Sequence, residues 1–265
     1  MGISEENMTQ VHPTAVVSPG AELAPGVSVG AYSIIGDHVI IGSDTTVGPH
    51  VIIEGHTRIG KKNYIFPFAC IGTPPQDIGY RGEDTRVTIG DENVIREYVT
   101  IHRATTKENR VTVVGSYNYI MAYCHIAHDC VLGDHIIMAN GVTFGGHTHV
   151  GDSANFGGIV AAQPFVRIGT HAYIGGLSGI VQDIPPFMIA AGSRAKLFGV
   201  NQKGLIRDGF TPETIDGLKR AYRIIWRENR IFTEGVQQAR QEIAPFPELE
   251  TLLAFFEGSR RGILK

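Results

Sequence analysis

An apolar residue recurs at every sixth position through most of this chain. From Val11 the series runs through Val17, Leu23, Val29, Ile35, Ile41, Val47, Ile53, Ile59, Ile65 and Ile71, and it resumes at Ile89, Ile95 and Ile101. A second series runs through Val114, Ile120, Ile126, Leu132, Met138, Phe144, Val150, Phe156, Ala162, Ile168, Ile174 and Ile180. Neither a helical period of 3.6 nor a strand period of 2 produces this spacing over so many repeats. A hexapeptide repeat does, and it predicts a parallel β-helix in which three hexads close a triangular coil of about eighteen residues. The in-phase aliphatics point inward and stack on their copies roughly 4.8 Å along the axis. Glycine follows the inward residue in many hexads, as at Gly30, Gly42, Gly60, Gly90 and Gly133. This predicts corners with a φ that only glycine adopts cheaply.

Composition narrows the setting. A chain of 265 residues holds one large or two modest domains, and its net charge of -3 argues against a nucleic-acid binder. Cys70, Cys124 and Cys130 make no disulfide framework. Cys124 and Cys130 hold the same place in neighbouring hexads and read as small buried fillers. An odd cysteine count favours a reducing compartment. The opening MGISEENMTQ lacks the apolar core of a signal peptide, and no apolar run approaches the roughly 20 residues of a membrane helix. The expectation is a soluble cytoplasmic protein with no membrane span.

The repeats break at residues 73–88 and 102–113, which read as loops expelled from the coil. Such loops are where function concentrates, because the solenoid gives them a rigid base. The pattern ends at Asp183-Ile184-Pro185-Pro186. Beyond it Thr211-Pro212-Glu213 forms an N-cap, a first-turn proline and an acid at the positive helix end. Leu218, Ala221, Tyr222, Ile225 and Trp226 make an apolar stripe, and further helices are predicted around 233–243 and 247–257. The expected division is a β-helix over 1–197 and an α-helical domain over 198–265. The helices would cap the last coil or pack on a neighbouring subunit. The flat faces of a triangular prism suggest a homotrimer.

The densest polar cluster is Cys124-His125-Ile126-Ala127-His128-Asp129-Cys130, with Gly145-Gly146-His147 one coil further on. An imidazole accepts a proton from a hydroxyl near neutral pH. An adjacent acid holds its tautomer, and a glycine N–H approaches a ligand closely enough to act as an oxyanion donor. Zinc bound by His102, His125 and His128 is the rival reading of the same cluster. In the tail, Lys219, Arg220, Arg223, Arg227, Arg230, Arg260, Arg261 and Lys265 make either a solvated helix face or a docking patch for an acidic carrier. Arg194, Lys196, Lys203 and Arg207 lie where a phosphate-bearing ligand would lodge.

Three stretches together resemble one family: His125-Ile126-Ala127-His128-Asp129-Cys130, Ile95-Arg96-Glu97 with Val99-Thr100-Ile101-His102-Arg103, and Phe198-Gly199-Val200-Asn201. The family is that of the acyl-carrier-protein–UDP-N-acetylglucosamine O-acyltransferases, which open lipid A synthesis. The likeness runs from His12-Pro13-Thr14-Ala15 to Arg260-Arg261-Gly262. It implies a left-handed parallel β-helix and a homotrimer with active sites between subunits. It also implies transfer of a 3-hydroxyacyl group from acyl carrier protein to the 3-hydroxyl of a UDP-sugar, with no cofactor beyond the carrier's phosphopantetheine and no metal. By matching position the resemblance makes His128 the general base, Asp129 its partner and Gly146 the oxyanion donor. His125, His147 and Asp77 would touch the sugar nucleotide or reacting centre, and Asn201 and Arg207 the phosphates. Gly158 would line the thioester arm's path, Gln163 the substrate cleft, and Gly176 would leave room for a long acyl chain.

The chain departs from the family's pattern at Gln163-Pro164, where a His-Gln pair is usual, at Gly79, where lysine is frequent, and at Lys203 and Asp208. Most of these positions face the nucleotide in the family. Transfer to a 3-amino sugar, giving an amide, is therefore a second expectation. The pathway's later N-acyltransferase fits less well, because that family carries a separate domain before its repeats and here they begin at Val11. A zinc hydratase on the same coil and a purely structural solenoid complete the alternatives.

Overall fold

The computed structural model describes residues 8–229 and 231–265; Arg230 of the basic tail lies outside them. Three sheets form the walls of a prism. An eleven-stranded sheet begins at Gln10–Val11, a nine-stranded sheet at Val16–Val17 and an eight-stranded sheet at Glu22–Leu23. Pairing along the coil is parallel, with a step of eighteen residues over most of its length, as from Gln10 to Ser28 and from Ser28 to Thr46, and a shorter final step from Tyr173 to Ile189. Hexad apolar residues stack along each wall. On the nine-stranded sheet Ile35, Ile53, Ile71, Ile101, Ile126 and Phe144 follow one another in register, all fully buried.

The glycines serve a different purpose from the one their spacing suggests. At these corners the left-handed residue lies two positions later and is not glycine: Tyr32, Asp44, Lys62, Glu92 and His135 all have φ between 54° and 60°. The glycines themselves stack against the next coil. A β-carbon on Gly42 would sit 2.6 Å from the Gly60 carbonyl carbon, and one on Gly90 2.8 Å from that of Gly115. Glycine is required there by close approach of backbones rather than by its dihedral freedom. The coil over-determines the strained corners and lines them with stacked rings. Tyr32, His50, Phe68, Tyr98 and Tyr123 form one such ladder, with centroids 5.0–5.1 Å apart.

Both insertions leave the coil at the corner that joins the nine-stranded to the eight-stranded sheet. They are shorter than the broken pattern predicts, spanning 74–85 and 103–110. Arg86–Ile89 and Val111–Val114 are four-residue strands whose inward Val87 and Thr112 add a buried position before the hexad residue. The period-six pattern hides this extra alternation. His102 likewise ends the strand Thr100–His102.

The coil closes with the antiparallel pair Met188–Ala191 and Lys196–Val200, so the last strand spans residues 197 and 198. Helices α1 (Gln202–Arg207), α2 (Pro212–Arg223), α3 (Phe232–Glu242) and α4 (Pro247–Phe255) follow, with a π-helical turn at Ile224–Glu228 extending α2. Thr211 caps α2, its hydroxyl accepting from the Thr214 N–H at 3.3 Å. Leu218, Ala221 and Ile225 are buried as the stripe predicts, with Leu249, Leu252 and Leu253 of α4. The segment after α4 returns to the coil, where fully buried Asp183 accepts from Arg167 N–H at 2.8 Å, Arg167 Nε at 3.1 Å and the Ser259 hydroxyl at 2.7 Å. Among the described residues no helix is long and apolar enough to cross a membrane.

Candidate active site

The corner that expels both loops also carries the histidine cluster, one and two coils further on. His128 precedes the corner residue Asp129, and His147 occupies the same corner in the next coil, its N–H donating to His128 O at 3.0 Å. Asp129 and His147 both adopt left-handed backbone, with φ of 60° and 62°. Each turn is fixed by the coil above and below, so the two side chains are held by rigid backbone.

His128 Nδ1 lies 2.8 Å from Asp129 Oδ2. That oxygen also accepts from the Thr105 hydroxyl at 2.7 Å and the Thr105 N–H at 3.0 Å. Burial alone raises the Asp129 carboxyl, but hydrogen bonds from His128 and Thr105 outweigh it and hold it below the usual carboxylate range. An ionised Asp129 only accepts, so His128 Nδ1 carries a proton, and the neutral ring then has its lone pair on Nε2. The ring lies against Gly146, where a β-carbon would come within 2.7 Å of Nε2. Gly145 and His147 N–H groups donate to Ala162 O and His128 O, whereas no acceptor among the described residues takes the Gly146 N–H. One base with an orienting acid, beside one uncommitted donor, suits proton removal coupled to stabilisation of a developing oxyanion.

The other expected residues fall into three places. His125 sits on the neighbouring strand with Nδ1 2.7 Å from Thr100 Oγ1, and burial, then the charge of His128, lowers its pKa. Asp77, in the first loop, pairs with Lys107 of the second and accepts from the Gly79 N–H at 2.7 Å. The Lys107 hydrogen bond, then that from Gly79, holds its carboxyl low. Gln163 lies one coil beyond Gly145 and accepts from Arg261. These join His128, Asp129, Gly146 and His147 at one corner. Gly158 and Gly176 stack at a second corner, where a β-carbon on Gly176 would be 3.2 Å from Gly158 O. Asn201 and Arg207 lie at the third. Asn201 donates to His171 O at 2.9 Å, and Arg207 Nε lies 3.2 Å from Asp208, whose other oxygen is 3.0 Å from His171 Nδ1. One chain therefore does not bring all these residues to one cleft.

Several contributors escaped the sequence reading. Thr105, Glu108 and Lys107 reach Asp129, His147 and Asp77 from the second loop, and Phe165 stacks on His147 at 4.3 Å. Their common address was in the spacing, since Arg86, Val111, Val131 and His149 begin strands of the same sheet just after this corner.

The set His102, His125 and His128 does not assemble as a ligand shell. His102 and His125 meet edge to face at 4.9 Å, and His125 Nδ1 is engaged by Thr100. The donors that do converge are His128, Asp129 and His147, within 4.8 Å of one another. Within that set Asp129 Oδ2 already accepts from Thr105 and His128. Cys124 and Cys130 are buried, which pushes their thiols up to about 11 and about 12 and keeps them protonated fillers.

Comparison with known proteins agrees with this geometry. Residues 183–264 match the family model described as Udp N-acetylglucosamine O-acyltransferase, Domain 2, and residues 112–146 match that of the bacterial transferase hexapeptide. The chain is similar to solved structures of LpxA from Acinetobacter baumannii, with 42% identity, a TM-score of 0.94 and 96% and 99% of the two chains covered. It is also similar to the UDP-N-acetylglucosamine O-acyltransferase of Moraxella catarrhalis, with 39% identity, a TM-score of 0.93 and 96% and 99% covered. The fold is thus the left-handed parallel β-helix with a small helical part. With 52% identity over 258 residues to a relative from Thermodesulfovibrio yellowstonii, covering 97% of this chain and 100% of that protein, the chain belongs to the family of acyl-[acyl-carrier-protein]–UDP-N-acetylglucosamine O-acyltransferases.

Proposed function

We propose that this enzyme transfers a 3-hydroxyacyl group from the thioester of acyl carrier protein to the 3-hydroxyl of UDP-N-acetylglucosamine, in the cytoplasm, as the first step of lipid A synthesis. The observation that carries the reading is the His128 imidazole, tethered at Nδ1 to Asp129 and lying against Gly146 with its unclaimed N–H.

His128 Nε2 takes the proton of the acceptor hydroxyl as its oxygen attacks the thioester carbonyl. The new imidazolium is stabilised by Asp129, and the tetrahedral oxyanion by the Gly146 N–H. Collapse breaks the C–S bond, and the imidazolium returns the proton to the departing thiolate. A positioned base contributes about 10²–10⁴-fold and an oxyanion donor about 10²–10³-fold. No covalent enzyme intermediate is needed, in keeping with the protonated thiols of Cys124 and Cys130.

The active unit is a homotrimer. Support comes from the dispersal of the expected residues over three corners of one prism, which neighbouring subunits around a threefold axis would bring together. His125, His147, Asp77 and Gln163 would then line the reacting end, and Gly158 and Gly176 the acyl path. Asn201 and Arg207, from the helical part 198–265, would bind phosphate, while the coil 1–197 carries the chemistry.

The test is a turnover assay with purified protein, 3-hydroxyacyl carrier proteins of several lengths, and UDP-N-acetylglucosamine or its 3-amino analogue as acceptor. Ester formation with the hydroxyl acceptor, lost in His128→Ala while the assembly stays folded, supports the proposal. Preference for the amine acceptor would replace ester with amide. No product with any pair would overturn the reading, and stoichiometric zinc in the active protein would revive the metal alternative.

A further inference from the structure

Glu108 has no place in the proton transfer described above, yet it touches the site from behind. Its Oε2 lies 3.1 Å from His147 Nδ1, and its Oε1 lies 3.5 Å from Arg260 Nη1 in the segment that follows α4. His147 is 4% exposed. One face stacks on Phe165 at 4.3 Å, and the ring meets His128 edge to face at 5.3 Å. Its Nε2 is 3.7 Å from Asp129 Oδ2. Stacking on Phe165 fixes the plane of the ring, which leaves the half-turn flip about Cβ–Cγ, exchanging Nδ1 with Cδ2, to be decided by polar surroundings. On the Nδ1 side a cavity of about 200 Å³ opens between the second loop, the coil and the post-α4 segment. Glu108 and Arg260 both line that cavity; His147 Nδ1 is buried there without a hydrogen bond, so the Glu108 carboxylate acts on it as a nearby charge.

We propose that Glu108 is a positioning residue for His147 and that Arg260 acts through it, so the C-terminal strap at 258–262 sets the orientation of an active-site imidazole. The contacts form one chain: Arg260 to Glu108, Glu108 to His147, His147 to Asp129, and Asp129 to His128. The strap itself is anchored independently, since the Asp183 N–H donates to Gly262 O at 2.8 Å and Ser259 bonds the Asp183 carboxylate. Removing the Arg260 guanidinium therefore leaves the strap in place and frees only the Glu108 carboxylate. The inference rests on the acyl-transfer reading for its kinetic consequence but not for its geometry.

The experiment uses full-length protein labelled with ¹⁵N-histidine, with the His147 ring signal assigned by its loss in His147→Gln. In Glu108→Gln that signal shifts, and kcat falls about tenfold to a hundredfold, the scale of a misplaced active-site group, while the acceptor KM stays within twofold. Arg260→Ala lowers kcat a few-fold in the wild-type background and changes nothing further in the Glu108→Gln background, because coupled residues are non-additive. An unmoved His147 signal in Glu108→Gln overturns the proposal, whatever its effect on thermal stability. Additive losses in the double variant overturn the role of Arg260. If no acyl donor is turned over, the ring signal alone decides the positioning claim, so that failure stays separate from failure of the functional reading.

Discussion

The His128 ring occupies the space that a Gly146 side chain would fill. A β-carbon there would lie 2.7 Å from Nε2 and 3.0 Å from Nδ1. Gly146 is not in the left-handed region, and the three atoms nearest to its added β-carbon all belong to the His128 ring, so Gly146→Ala displaces the imidazole rather than the coil. The expected result is a loss of kcat of about a hundredfold or more, near that of removing a general base, with little change in the melting temperature. Steady-state kinetics beside a thermal melt checks this, and an active alanine variant would separate His128 from the chemistry.

Gly158 and Gly176 form a bare step at another corner, between the exposed side chains of Ile159 and Leu177. A side chain at 176 would first meet Gly158 O and then project outward along the corner. Under the proposed function this corner lines the acyl path, so Gly176→Met is expected to lower turnover of long-chain donors while sparing short ones. Competition between carrier proteins of different chain length reads the change as a ratio of kcat/KM values. An unchanged ratio would remove Gly176 from the acyl path.

Much of the coil was legible because one inward residue per hexad is a strong, repeated constraint. The inward series from Val29 to Ile180 is buried almost without exception. The reason for the glycines was not legible, because a period in one chain does not reveal which backbones approach in space. Gly90 and Glu92 separate the two explanations. Gly90→Ala drives a β-carbon to 2.8 Å from the Gly115 carbonyl and is expected to cost about 1–3 kcal/mol. Glu92→Gly, at the left-handed corner with φ 56°, relieves strain but loosens the unfolded chain, leaving stability within about 1 kcal/mol of wild type. Denaturant unfolding of both variants, showing the reverse order, would restore the dihedral explanation.

The site divided along the same line. His128, Asp129 and His147 were legible because a step of about one coil relates them. Thr105 and Glu108 were not, because they sit in a loop without period, and only the coil's geometry returns that loop to its own corner. Arg207 read as a phosphate-binding cation; its pairing with Asp208, which also holds His171, was not visible in the sequence. Residues read as one cluster of charge in the tail are likewise divided. Arg220 and Arg223 pair with Glu242 and Glu228, while Arg260 and Arg261 turn back to the active-site corner.

His102 gives the fold a defined sensitivity to acid. It is buried behind His125, and burial, then the charges of His125 and His128, lowers its pKa from 6.5 to about 4. The folded state thus holds the neutral ring while the unfolded chain still binds a proton. Its contribution to stability is complete above pH 6.5, shrinks as pH falls from 6.5 towards 4, and below 4 both states are protonated and no further loss accrues. His125 and His149 are lowered in the same direction, chiefly by burial, and steepen the same window. Asp129 acts lower on the scale, since its depressed carboxyl favours the fold above its unfolded value and loses that effect only as pH falls through its folded value. His102→Gln removes one titration from the upper window, so its melting temperature is expected to fall less than that of wild type between pH 6.5 and 4. Parallel melts of the two proteins across that range measure the difference, and curves that decline together would show that His102 takes up no proton on unfolding.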